Sequence, residues 1–297
     1  MNTPLHSRAL LRHIRFDEVA VLQGTPLMGA LFSAGPIVLA VEKAFLPMVV
    51  IEVLKITLLF LAGSVLLVAH VFTLNDWAEI AHGLKAPDPL VSSRRLFWFS
   101  LFLLIAALLV FTLIAYRVVA LGAVVAILGF LYSHPRLNFK GTPIASSLPH
   151  LIGGIFHFLL GYAVFSPVDQ RGFFIALFFA LTFVAGHLNH EVRDYELDQK
   201  NNERTNAVAF GKRATFLAGL MVFTSAYLCL FLLGWFGLVP RWLMIVAAAF
   251  YPLHLYWSIR VLRSQFRSDV VERFQIQYRA LYALIGISML GLLFYQK

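Results

Sequence analysis

The chain alternates between long apolar runs and short polar breaks, and the length of the runs says what they are. A helix rises about 1.5 Å per residue, so about 20 apolar residues cross a hydrocarbon core of about 30 Å. Runs of this kind lie at 18–41, 46–74, 96–115, 117–133, 146–166, 172–190, 212–235, 240–257 and 279–296. In lipid the backbone must satisfy its own hydrogen bonds, so each run is read as a helix. The pattern predicts an all-α, polytopic membrane protein with nine transmembrane helices, the third and fourth divided by a tight break at Tyr116–Arg117. The runs leave no room for a soluble domain, so 1–297 is read as a single membrane domain. Met1–Asp17 carries Arg8, Arg12 and Arg15 ahead of a run too long for the core of a signal peptide, and is read as part of the mature chain.

Composition agrees. The chain is 60% hydrophobic and 13% charged, with a mean hydropathy of +0.80, where soluble domains are about 45–50% apolar and about 25% charged. Water-soluble and disordered classes are excluded. The formal net charge of +9 could point to a polyanion, but its distribution has a membrane explanation. With the N-terminus inside, eighteen Lys and Arg fall on inside segments and five outside, Lys55 lying within the second run. This is the bias expected of cytoplasmic loops. It gives an N-in, C-out protein of a prokaryotic inner membrane and calls for no nucleic-acid partner. The one cysteine, Cys229, lies in an apolar run, so there is no disulfide framework and no CxxC site. In this orientation the inside connections are the long, polar ones, which places the chemistry at the cytoplasmic mouth.

Two of those connections are acidic. The second run leads into Asn75-Asp76-Trp77-Ala78-Glu79, and the sixth into Asn189-His190-Glu191-Val192-Arg193-Asp194-Tyr195-Glu196-Leu197-Asp198. On a continuing helix Asp76 and Glu79 share a face, and so do His190, Asp194 and Asp198. Like charges at that spacing repel unless a cation lies between them. Hard oxygen donors without cysteine point to Mg²⁺ rather than Zn²⁺. One such cluster alone reads as a solvated rim. Two on the same side of the membrane, each joining Asn to carboxylates, read as a site for two Mg²⁺ and a diphosphate.

At these residues the sequence resembles the UbiA superfamily of intramembrane prenyltransferases, whose first motif has the form NDxxDxxxD and second the form DxxxD. Asn75-Asp76-x-x-Glu79 is similar to the first, and Asn189-x-x-x-Arg193-Asp194-x-x-x-Asp198 to the second. Tyr132-Ser133-x-Pro135-x-Leu137-x-x-Lys140 resembles the YSxPxLxxK loop. Ala86-Pro87-Asp88-Pro89-Leu90-Val91-Ser92-Ser93 and Arg204-Thr205-x-Ala207-Val208-x-x-Gly211 look like the stretches that follow the two motifs. The resemblance covers most of the chain. It implies a helical bundle around a central cavity capped by cytoplasmic loops. It also implies Mg²⁺-dependent transfer of a prenyl group from an allylic diphosphate to a small, aromatic or other lipid-soluble acceptor, in contact with membrane lipid. Residue by residue it implies Asn75, Asp76 and Glu79 on one Mg²⁺ and Asp194 and Asp198 on a second. Tyr132, Lys140, Asn189 and Arg193 would hold the diphosphate, and His190 is the best placed proton acceptor.

Three departures stand out: Glu79 for the second acid of the first motif, Gly83 for its third, and Asp88 where the family commonly has Arg. They keep a terpene cyclase and a catalytically silent lipid-binding relative as alternatives. A transporter would set ionisable groups near the bilayer centre, unlike these clusters at one mouth. Elsewhere, Lys55 with Glu52 reads as a pair reaching the interface, and His70 and His157 as core histidines. His187 lies nearer the acidic cluster. Arg260, Arg263, Arg267, Arg273 and Arg279 read as contacts to anionic lipid.

Overall fold

A computed structural model describes residues 9–81, 83, 85–86, 89–134, 139 and 142–291. Among these every regular element is helical: α1 (Phe16–Leu22), α2 (Gly24–Ala40), α3 (Leu46–Ala81), α4 (Ser93–Thr112), α5 (Tyr116–Ser133), α6 (Ser147–Tyr162), α7 (Gln170–Lys200), α8 (Asn206–Phe210), α9 (Lys212–Trp235), α10 (Trp242–Arg263) and α11 (Ser268–Leu290). Each of the nine apolar runs overlaps one of these helices. Among the described residues seven segments are long and apolar enough to cross a membrane, α1 and α2 counting as one segment, and the chain is an integral membrane protein. The count of nine is not reproduced. At 16 residues α6 is about 24 Å long, and α11 carries Glu272, Arg273 and Arg279 in its first half.

The helix boundaries have local causes. Ser92 accepts a hydrogen bond from the Arg95 N–H at the start of α4, and Asp169 accepts one from Gly172 at the start of α7, satisfying N–H groups that a helix leaves open. The break between α4 and α5 is the three residues 113–115, with Ala115 extended at φ −166°. There Arg117 donates from Nε to the Ala163 carbonyl at 2.5 Å and from NH2 to that of Val164 at 3.3 Å. It thereby closes the C-terminal end of α6. Lys55 pairs with Glu52 at 2.8 Å with both side chains exposed, and His70 is buried with Nδ1 2.9 Å from the Ser100 carbonyl.

The chain forms two compact units, residues 1–139 with 156–168, and residues 140–155 with 169–297. In the first, α3 packs on α4 and α5, with α1 and α2 against it. Phe60 stacks on Phe111 at 6.1 Å in its core. In the second, α7 packs on α9, and α10 and α11 complete the group. Buried Phe223, Phe274 and Tyr278 surround the ring of His254 there.

Small residues let helices meet backbone to backbone where lipid offers little drive for association. In the first unit a methyl group added at Gly161 would strike the Pro26 carbonyl, and one at Gly29 the Phe158 carbonyl. Neither neighbour is a side chain that can swing aside. Gly161→Ala is expected to cost about 3 kcal/mol, the upper range for overpacking, read as a lower unfolding midpoint in detergent. Gly153→Ala, with open space at that position, is the control and leaves the midpoint within about 0.5 kcal/mol.

Candidate active site

The first acidic cluster lies on the last turns of α3. At 36 residues this helix is about 54 Å long, well beyond a bilayer core, so its polar end continues past the apolar run. Asp76 is 2% exposed, a costly place for a carboxylate without partners. It has three basic ones. Arg15 NH2 donates to Oδ1 at 2.7 Å, Lys85 Nζ donates to Oδ1 at 2.8 Å, and His13 Nδ1 lies 2.7 Å from Oδ2. Asn75 is turned away from this group and donates from Nδ2 to Glu79 Oε1 at 3.0 Å.

The backbone is bent to allow this gathering. Arg15 sits in the left-handed region at φ 54°, immediately before α1. That conformation costs about 1 kcal/mol outside glycine. Its guanidinium also covers the Phe72 ring at 5.3 Å, a cation–π contact. Gly83 has φ 72°, a conformation glycine adopts freely. With the Gly83 N–H on the Ile80 carbonyl and the Lys85 N–H on the Glu79 carbonyl, it ends the helix and turns Lys85 back to Asp76. The position where the UbiA motif would carry a third acid is thus a chain reversal that delivers a base. Asp88 lies outside the described residues.

The second cluster lies on α7, which outruns its apolar stretch in the same way. Asn189 is 1% exposed and donates from Nδ2 to the Ala185 carbonyl at 2.8 Å, while its Oδ1 has no hydrogen-bond donor. Gly219 of α9 allows this close approach, since a methyl there would come 2.9 Å from Asn189 Nδ2. Arg193 grips Asp194 through Nε at 2.6 Å and NH2 at 2.7 Å, and donates from NH1 to Gln275 Oε1 at 3.2 Å. Gln275, buried on α11, donates in turn to the Asn189 carbonyl at 3.0 Å. Asp198 accepts from Thr205 Oγ1 at 3.2 Å. His190 receives a hydrogen bond from Arg279 NH2 at 2.6 Å on Nε2. Arginine only donates, so that nitrogen holds its lone pair.

Beside these residues stands a group with no local sequence signal. Glu191, 6% exposed, accepts the Asn206 N–H on Oε2 at 3.0 Å and Asn206 Nδ2 on Oε1 at 3.2 Å, with Ser146 Oγ at 3.5 Å. His187 Nε2 is 3.1 Å from Oε1, at ion-pair distance but out of line for a hydrogen bond. The His187 ring stacks on His150 at 3.7 Å. Asn206 Oδ1 accepts the Ile144 N–H at 2.6 Å. Glu191 therefore ties two connections, those at 142–147 and 205–206, to α7.

Of the residues read from sequence, Asn75 and Glu79 are in contact, Asp76 is the centre of a basic group, and Asn189, Arg193 and Asp194 are joined through Gln275. Tyr132 lies in the last turn of α5, and Lys140 is outside the described residues. The first motif belongs to the first unit and the second to the second. Among the described residues no three His, Cys, Asp or Glu side chains converge as a preformed metal cage. The donors suit Mg²⁺ in kind, being carboxylate and amide oxygens without sulfur. The unfilled Oδ1 of buried Asn189 also fits a cation or a donor of the substrate.

These features define a polytopic α-helical membrane protein with polar clusters at the ends of two long helices. The profile of the UbiA prenyltransferase family matches residues 27–291, and the chain belongs to that family. No curated protein sequence matches it. Among solved structures, a UbiA homologue from Archaeoglobus fulgidus bound to GPP and Mg²⁺ has a TM-score of 0.67 at 17% identity, over 95% of this chain and 99% of that one. A structure described for digeranylgeranylglyceryl phosphate synthase in membranes has a TM-score of 0.72 at 16% identity, over 98% and 99%. At these identities the likeness concerns the fold.

Proposed function

We propose that this protein, acting as a single domain, transfers a prenyl group from an allylic prenyl diphosphate to a small, aromatic or other lipid-soluble acceptor within the membrane. The observation that carries the reading is Asp76, a buried carboxylate ringed by Arg15, Lys85 and His13. Such a group joins an oxygen ligand for a cation to bases suited to phosphate oxygens. The solved UbiA homologue bound to GPP and Mg²⁺ supports the same reading.

In this mechanism Asn75, Asp76 and Glu79 would hold one Mg²⁺, and Asp194 and Asp198 would hold another. When bound, the ions supply positive charge against that developing on the leaving diphosphate. Lys140, Arg193, Tyr132 and Asn189 bind the diphosphate, with Arg15 and Lys85 close to Asp76 to meet further oxygens. The allylic C–O bond breaks and its electron pair leaves with the diphosphate. The allylic carbon bonds to the acceptor, and the acceptor's proton passes to His190 Nε2 as Arg279 turns from it. Exclusion of bulk water by the surrounding helices protects the allylic cation. The orientation is N-terminus in and C-terminus out, in a prokaryotic inner membrane, on the distribution of Lys and Arg.

The test is release of diphosphate from radiolabelled geranylgeranyl diphosphate by the purified protein in nanodiscs, with and without Mg²⁺. Release is expected to require Mg²⁺ and to fall about 10²- to 10³-fold in Asp194→Ala, the range for losing a charge-stabilising group. The labelled product separates transfer from cyclisation. No release with ten-, fifteen- or twenty-carbon donors and a panel of acceptors overturns the reading.

A further inference from the structure

The turn between α10 and α11 gathers cationic side chains that the proposed reaction does not use. Arg260 and Arg263 end α10, Arg267 stands at the N-cap of α11, and Arg273 follows less than two turns later. Arg260, Arg267 and Arg273 line a cavity of about 120 Å³, together with Asp269 and the rings of Trp257 and Phe274. Arg260, Arg263 and Arg267 line an adjoining recess of about 360 Å³. Among the described residues one of the four guanidinium groups is neutralised: Arg267 binds Asp269 through Nε at 2.8 Å and NH2 at 2.6 Å. Among the described residues Arg260, Arg263 and Arg273 form no ion pair.

Helix electrostatics account for half of this arrangement. Arg260 and Arg263 suit the negative C-terminal end of α10, but Arg267 sits at the positive end of α11, where an anion is favoured instead, and Arg273 lies beyond its first turn. The turn is also held in an uncommon shape. Gln265 and Phe266 are both left-handed, at φ 55° and 63°, at a cost of about 1 kcal/mol each. Phe266 is fixed by edge-on packing against the buried Phe216 at 5.6 Å. This anchored turn keeps the arginines of two helices around one cavity.

We propose that this cavity is a binding site for the phosphate headgroup of an anionic phospholipid. Charge complementarity is the first ground. The apolar surface leading to it is the second: Leu253, Tyr256 and Ile259 on α10 and Ile276 on α11 are exposed within one or two turns of the arginines. That surface offers acyl chains a place to lie while Trp257 marks the interface. A soluble phosphate would use only the basic part. Basic pockets between membrane helices bind headgroups in this way.

The experiment measures the lipid retained by the full-length protein extracted from phosphatidylcholine vesicles containing phosphatidylglycerol, by mass spectrometry. Wild type and Arg94→Gln/Arg95→Gln, which removes two cytoplasmic charges elsewhere, are expected to retain phosphatidylglycerol. Arg260→Gln/Arg273→Gln is expected to retain it about 30-fold less, for two lost surface contacts, with phosphatidylcholine unchanged. A photoactivatable phosphatidylglycerol on wild type alone, which needs no variant to fold, is expected to label residues 253–277. Equal retention by both double variants, labelling spread over the other basic loops, or displacement of the lipid by inorganic phosphate would each overturn the proposal. The last outcome would make it a site for free phosphate.

Discussion

Asp76→Asn is expected to slow magnesium-dependent diphosphate release by about 10³-fold, the scale of removing a group that stabilises charge in a water-excluded site, while the protein still folds. The substitution keeps the shape of the side chain but deletes its charge and turns an amide NH2 toward partners that met an oxygen. Its effect on stability follows from what its partners can do without it. Removing one member of a fully buried ion pair costs about 3–5 kcal/mol, but Arg15 and Lys85 have side chains 32% and 41% exposed and can return to water, and His13, at 9% exposed, can stay neutral and keep an amide oxygen as its partner. The cost is therefore discounted to about 1–2 kcal/mol. Initial rates in nanodiscs and unfolding midpoints in detergent, taken on the same preparations, separate the two effects. An unchanged rate in a folded Asp76→Asn protein would leave Asp76 as an anchor for the N-terminal segment, and the first motif would have no part in the chemistry.

Glu191→Ala is expected to be the more damaging change to the fold, at about 2–3 kcal/mol, because it strands the buried Asn206 N–H without an acceptor and leaves Asn206 Nδ2 only the hydroxyls of Ser146 and Ser147. Glu191→Gln, which restores volume but turns an amide toward one of those donors, is expected to lose about half as much. Hydrogen exchange gives a local reading that global stability does not. The amides of Asn206 and Ile144, bonded to Glu191 and to the Asn206 side chain, should lose protection ahead of the core of α9. If both amides exchange as in wild type, Glu191 does not hold these connections.

Much of this architecture was legible in the apolar runs because lipid enforces a single rule, that the backbone bonds to itself. Each run marks a helix, but the break expected at Tyr116–Arg117 falls earlier, at 113–115, and both of those residues lie in the first turn of α5. The rule speaks only for residues in hydrocarbon, however. It gives 46–74 and 172–190 where α3 and α7 continue to Ala81 and Lys200, and it passes over α8. The candidate site was legible where its residues repeat on one helix face. Glu191 falls about 100° away from His190, so a search for acids four apart does not register it. Gln275 and Asn206 carry no charge to notice. His13 and Arg15 meet Asp76 across more than sixty residues of chain, a pairing that no local pattern encodes. Gly83 looked like a lost acid, and its meaning lay in its φ angle.

That long-range contact also imposes an order on biogenesis. His13 and Arg15 leave the ribosome some sixty residues before the carboxylate they bind, which at about 5–20 residues per second means several seconds of waiting. During that interval Arg15 has only Glu18 of its own segment to pair with, and a cation ahead of the first apolar segment is the kind of charge that favours the N-in direction proposed above. Only when α3 has been threaded through and its end exposed does Arg15 find Asp76. A residue that first steers insertion then becomes part of the polar centre, so a lesion at Arg15 would show up twice, as misdirected chains and as weakened sites in the chains that insert correctly.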